Sequence, residues 1–160
     1  MCDSIYAAYG SNLNLAQMAM RCPDARILAK ARLDGYELVF RGHPHSAVAT
    51  IEPKEGSSVP ILLWTISKKD EQALDRYEGY PSFYGKQSMT FCAQEQDISA
   101  MVYVMTPGHP AGMPSRFYLD TIKEGYRDCG FDPAPLSLAM RRSHELIEQE
   151  AAHGHQFTFY

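Results

Sequence analysis

The 160-residue chain lacks a long apolar run: a stretch such as that from about Pro60 to Trp64 is soon interrupted by polar residues. A membrane-spanning helix needs about 20 consecutive apolar residues, so none is expected. The opening Met1-Cys2-Asp3-Ser4 has neither a basic segment nor a long apolar one behind it, so no secretory leader is expected there. No cluster of Lys and Arg interrupts a formal net charge of −4. Duplex nucleic acid, which is held through clustered cations, is therefore an unfavoured partner. The four cysteines, Cys2, Cys22, Cys92 and Cys129, include no C-x-x-C pair. Without paired spacing they read as thiols in a reducing cytoplasm, not as a disulfide framework or a zinc site. His43-Pro44-His45 and His153-Gly154-His155 lack a third placed ligand and read as surface pairs, so no metal is expected.

What is present is an ordinary globular balance, 45% hydrophobic and 21% charged. The length fits one domain over residues 1–160, with the segment from about residue 131 the least constrained. Ile5 to Tyr9 reads as a short strand running into a Gly10-Ser11-Asn12 turn. A helix over Asn14 to Arg21 follows and stops at Pro23. Ala25–Arg32, Tyr36–Arg41, Ala47–Glu52 and Val59–Ile66 read as four strands bounded by Gly, Pro or Ser. Ser67 and Asp70 have the spacing of a reciprocal helix cap, and Gly79 and Pro81 end that helix. Two more strands, Tyr84–Ala93 and Ala100–Met105, precede a Pro/Gly loop over Pro107–Pro114. A helix capped by Ser115 and closed by Gly130 follows, then one over Pro135–Glu150, leaving the tail from His153 to Tyr160 unplaced. Strands interrupted by helices, without strict alternation, point to an α+β fold. The expectation is a mixed, closed or nearly closed β-barrel of about six strands with flanking helices.

Two segments carry chemistry. Tyr9-Gly10-Ser11-Asn12-Leu13 is a strand–turn–helix junction, where unpaired amides and the positive end of a helix dipole attract anions. Gly10 would let a ligand approach the backbone, and Ser11 and Asn12 could cap the helix or touch that ligand. An ordinary capped turn is the competing reading. The second segment is Leu74-Asp75-Arg76-Tyr77-Glu78-Gly79-Tyr80-Pro81, with Phe83-Tyr84 after it. Glu78 falls at a helix C-terminus among aromatic residues. Dipole and desolvation there both push a carboxyl group toward neutral pH, the range suited to general acid–base work. A solvated surface Glu is the competing reading. Asp75 is expected to be solvated or paired with Arg76 or a neighbouring basic residue.

These two segments together resemble the gamma-glutamylcyclotransferase family. Pro23-Asp24-Ala25, the run Ala31 to Leu38, Ala49-Thr50-Ile51, Met101 to Met105, and Pro114-Ser115 with Tyr118 are similar to that family in the same order, over about residues 5–130. The resemblance implies a closed α+β barrel and release of 5-oxoproline from a γ-glutamyl amino acid, peptide or amine, by attack of the α-amine on the γ-carbonyl. It implies Glu78 as general acid/base, with Tyr9, Gly10, Ser11, Asn12, Leu13, Tyr84 and Tyr118 as substrate contacts, and it implies no cofactor. The small-molecule γ-glutamyl substrate is the expected partner, with neither nucleic acid nor membrane, and the oligomeric state is left open, a homodimer included. The alternatives are a non-catalytic binding module on the same scaffold, a cyclotransferase that deprotects a γ-glutamyl-amine or biosynthetic intermediate, and an interaction protein working through the C-terminal helix.

Overall fold

The computed structural model describes residues 3–157, with side chains described through residue 153. Cys2 and residues 158–160 lie outside the described residues, as do the side chains of most of the His153–Tyr160 tail. Five strands close into a mixed barrel in the order β1-β3-β2-β4-β5: β1 Ser4–Ala8, β2 Arg26–Arg41, β3 Val48–Ile66, β4 Tyr84–Ala93 and β5 Gln96–Met105. Neighbours run antiparallel except where β5 meets β1, in parallel, at Tyr6 and Met101. Four helices accompany them: α1 Leu15–Arg21, α2 Lys68–Glu78, α3 Arg116–Cys129 and α4 Ala134–Phe157.

The strand count is lower than the run of apolar segments suggests, because four of those segments are two long strands. Ala25–Arg32 and Tyr36–Arg41 are both parts of β2, and the ladder to β3 shifts register between Asp34 and Tyr36. Gly35, at φ +80°, supplies the backbone conformation that this bulge requires. Gly56, at φ +84°, lies within β3 in the same way. Bulged long strands bend more sharply than regular ones, which suits closure of a small barrel. Ile61, Leu62, Leu63 and Ile66 are all buried, so both faces of β3 are covered there.

Local signals set the helix ends. Ser67 accepts from the Asp70 amide at 3.1 Å, and Asp70 accepts from the Ser67 amide at 3.2 Å, closing the box that starts α2. Gly79 ends α2 in the left-handed conformation, and Gly130 ends α3 likewise. Helix α4 runs past the expected Glu150 to Phe157. Its Glu150 carboxylate accepts from Arg41 Nη1 at 3.0 Å and from the Ala111 amide at 3.0 Å, which ties the C-terminal helix to the barrel.

Candidate active site

The junction after β1 departs from a simple strand–turn–helix. Ser11–Leu13 form one turn of 3-10 helix, in which the Leu13 amide donates to Gly10 O and the Asn14 amide to Ser11 O, each at 3.1 Å. Helix α1 begins only at Leu15 and is capped by Asn14, whose side chain accepts from the Gln17 amide at 3.0 Å. The expected capping by Ser11 or Asn12 is thus supplied two or three residues later. The Leu15 amide, at the start of α1, donates to Asp128 of α3 at 3.1 Å. The backbone donors left over at this junction belong instead to the 3-10 turn. Its first amides, on Ser11 and Asn12, have no partner within the turn.

Helix α3 holds this turn in place. A Cβ added to Gly125 would lie 2.7 Å from Leu13 C and 2.8 Å from Asn14 N, so α3 packs against the backbone of the turn where only glycine fits. The Asn14 side chain donates to Thr121 O at 3.1 Å and to Glu124 Oε2 at 2.8 Å. Cys129 Sγ lies 3.7 Å from Leu13 O. Leu13 itself is fully buried in the core, and its side chain does not reach the cavity.

A cavity of about 250 Å³ opens beside the turn. Its walls come from the turn, the start of β3, the end of α2, the Phe83-Tyr84 corner, Tyr103 of β5 and Tyr118 of α3. Glu78, the last residue of α2, lies in the same wall as Gly10, Ser11 and Asn12. Its carboxylate accepts no hydrogen bond from another described residue. It remains partly accessible through the cavity, yet protein crowds around it. Desolvation therefore raises its pKa from 4.5 to about 7, against the opposing pull of the Arg21 cation.

Tyrosines make up most of the remaining wall, and their hydroxyls are largely committed. Tyr9 donates to Tyr103 O at 2.7 Å. Tyr84 donates to Ala49 O at 2.5 Å, while Tyr118 accepts from the Ala49 amide at 3.0 Å. The two rings thereby grip one residue of β3, and their faces line the cavity. Tyr77 shares a hydrogen bond with Ser11 Oγ at 2.9 Å and carries the Arg21 guanidinium 3.4 Å over its ring. Burial raises the hydroxyl pKa values of Tyr9, Tyr84 and Tyr118, so all three stay protonated near neutrality.

Of the expected site residues, the structure brings Tyr9, Gly10, Ser11, Asn12, Glu78, Tyr84 and Tyr118 to one cavity and leaves out only the Leu13 side chain. It adds Tyr6, Val48, Ala49 and Tyr103, which sequence reasoning did not single out. Nothing local pointed to them, and strand alternation would set Tyr6 and Tyr9, three residues apart, on opposite faces. Asp75 is paired with a basic group, as expected, but that group is Lys86 of β4, at 2.9 Å.

Residues 6–125 match the family model described as "Gamma-glutamyl cyclotransferase, AIG2-like". The chain belongs to the gamma-glutamyl cyclotransferase, AIG2-like family. It is 32% identical over 136 residues to the Bos taurus protein named "Gamma-glutamylcyclotransferase", covering 79% of this chain and 71% of that one. The Homo sapiens protein of the same name is 30% identical over 135 residues, with the same coverage of each chain. A solved structure titled "Gamma-glutamyl cyclotransferase" superposes with a TM-score of 0.75 at 28% identity, over 91% of this chain and 86% of that one. The closed α+β barrel is the fold of this family, and the chain is a member of an enzyme family. No described helix is long and apolar enough to cross a membrane.

Proposed function

We propose that the chain releases 5-oxoproline from a γ-glutamyl amino acid, peptide or amine, with Glu78 as the proton carrier. The observation that carries this reading is Glu78 itself: an unpartnered carboxyl group with a pKa raised to about 7, lining the same cavity as Ser11 and Asn12. The substrate α-ammonium, a weaker acid than Glu78, gives a proton to the Glu78 carboxylate. Each unit by which the Glu78 pKa is raised lowers the cost of that transfer by about 1.4 kcal/mol.

The freed α-nitrogen attacks the γ-carbonyl carbon, and the carbonyl π pair moves onto oxygen. The attacking nitrogen, cationic after attack, gives up its second proton to solvent. Glu78 protonates the leaving nitrogen, the oxygen pair re-forms the carbonyl, the C–N bond breaks, and the released amine takes up one further proton from solvent. Over the whole reaction the α-nitrogen goes from three protons to one and the leaving nitrogen from one to three. Nucleophile and electrophile share one molecule, so the enzyme supplies a folded substrate conformation, a proton carrier and charge stabilisation. The unpaired amides of Ser11 and Asn12 suit the substrate carboxylate, and Tyr84, Tyr118 and Tyr9 shape the space around the folded chain.

The test is a panel of γ-glutamyl amino acids, peptides and amines, with 5-oxoproline read by mass spectrometry for the wild type and for Glu78→Gln. Expected is 5-oxoproline from at least one compound with the wild type, and a loss of about 10²–10⁴-fold in the variant. Tight binding of a γ-glutamyl compound without turnover by either protein would instead support a binding module on this scaffold.

A further inference from the structure

A chain of hydrogen bonds with one permitted polarity ends at the Tyr6 hydroxyl. Arg21 is a pure donor. Its Nη1 faces Asn12 Oδ1 and its Nη2 faces Gln17 Oε1 at 3.1 Å, which fixes the Asn12 carboxamide with its oxygen toward the cation. The Asn12 Nδ2 then faces the Tyr6 hydroxyl at 2.9 Å. An amide NH₂ cannot accept, so the Tyr6 oxygen must, and its own proton has to point elsewhere. Tyr6 is 4% exposed and Asn12 2%. Tyr6 donates to no other described group, and it lines the cavity that holds Glu78. A buried phenol ordinarily finds a hydrogen-bond partner. Here the direction left for that proton is the cavity.

We propose that Tyr6 is a further catalytic residue: its hydroxyl, oriented by Arg21 through Asn12, donates to the γ-carbonyl oxygen as that oxygen becomes negative. This rests on the cyclotransferase reading above. The substrate carbon under attack carries both nitrogens served by Glu78, so a donor close to Glu78 faces the oxygen on that carbon. Burial and the nearby Glu78 charge hold the phenol well above its usual range. It therefore remains a donor at any pH where the reaction runs. The donor forms no covalent bond and keeps its proton; it stabilises charge that exists only in the tetrahedral state. Arg21 is the positioning residue, since without it the Asn12 carboxamide is free to turn over and present oxygen to Tyr6. The hydroxyl would then spend its proton on Asn12.

The experiment uses the γ-glutamyl compound that the wild type turns over fastest. Tyr6→Phe is expected to lower kcat by about 10²–10³-fold with KM within about threefold, the pattern for loss of one oxyanion donor. Measured on the alkaline side of the Glu78 acid limb, where the loss of the Arg21 charge beside that carboxyl no longer matters, Arg21→Met should lower kcat about tenfold, and adding it to Tyr6→Phe should cost nothing further, because both remove the same hydrogen bond. Arg21→Lys, which keeps a donor toward Asn12, should recover part of the loss. A merely structural Tyr6 predicts additive losses in the double variant and no rescue by Lys. If Tyr6→Phe fails to fold, wild-type kcat in Arg21→Met overturns the proposal. Wild-type kcat in a folded Tyr6→Phe overturns the role of Tyr6 alone, while a wild type that makes no 5-oxoproline overturns the underlying reading as well.

Discussion

The Tyr103 hydroxyl donates to the Asp75 carboxylate at 2.6 Å, fastening α2 to β5 three residues before Glu78. Lys86 on the adjacent strand completes the fixture, reaching Asp75 at 2.9 Å and Glu71 at 2.6 Å. The helix end that presents Glu78 is thus tied to the barrel wall by a charge-assisted network and not by apolar packing alone. Tyr103→Phe keeps the ring against Tyr6 and removes only the hydroxyl. It should destabilise the protein by about 1.5 kcal/mol, since the bond lost is to a charged group. A modest fall in turnover should accompany it. Thermal denaturation and steady-state kinetics check the pair; unchanged melting would show that Lys86 alone holds the helix end.

Much of this architecture was legible from local chemistry. Ser67 and Asp70 make their reciprocal cap, and Gly79 and Gly130 end helices in the left-handed conformation, because such signals depend on a few neighbouring residues. Gly35 and Gly56 were misleading for the same reason. A glycine between apolar runs marks a strand end or a bulge equally well, and only pairing across the hairpin decides. At the site, Glu78 and Gly10 were readable through resemblance. The Arg21–Asn12–Tyr6 and Asp75–Tyr103 contacts were not, because they exist only once distant segments of the barrel and helices are brought together.

Glu78 gives a pH signature in activity. In the proposed reaction its carboxylate accepts the first proton, so kcat/KM should rise with pH through about 7, the raised pKa of this group. Arg21 opposes that rise in pKa, so Arg21→Met should carry the acid limb to higher pH. A rate profile from pH 5 to 9 for both proteins checks this. An acid limb near an ordinary carboxylate pKa would remove Glu78 from the role.

The same shift has the opposite sign in stability. With a folded pKa of about 7 and an ordinary value of 4.5, the folded state holds the Glu78 proton more tightly than the unfolded state. Below the lower value both states are protonated and no effect appears. Through the window between them stability falls as pH rises, and above about 7 the full cost is present, at most about 3 kcal/mol. Glu78→Gln has no such proton to lose. Its stability relative to wild type should therefore increase from pH 4.5 to pH 7.5, measured by urea denaturation, even as turnover collapses. A variant that is less stable at pH 7.5 would mean that Glu78 makes a stabilising contact as an anion.

Two glycines let the Ser11–Leu13 turn pack closely on its neighbours, and replacing them should separate binding from folding. A Cβ on Gly10 would meet Ala49 Cβ at 3.3 Å and the Tyr118 hydroxyl at 3.4 Å, close contacts that small movements relieve. Gly10→Val puts further carbon into the cavity, so KM should rise first, with the melting temperature changed little. Gly125 faces the turn from α3, where a Cβ would meet Leu13 and Asn14 backbone at 2.7–2.8 Å. Backbone cannot move aside as a side-chain tip can, so Gly125→Ala must displace the whole turn or the helix. That overpacking should cost about 1–3 kcal/mol in stability. It should also weaken substrate binding, because the Ser11 and Asn12 amides move with the turn, although residue 125 does not line the cavity. Melting curves and KM for the two variants decide the matter. Gly125→Ala with wild-type stability and wild-type KM would show that α3 does not fix the turn.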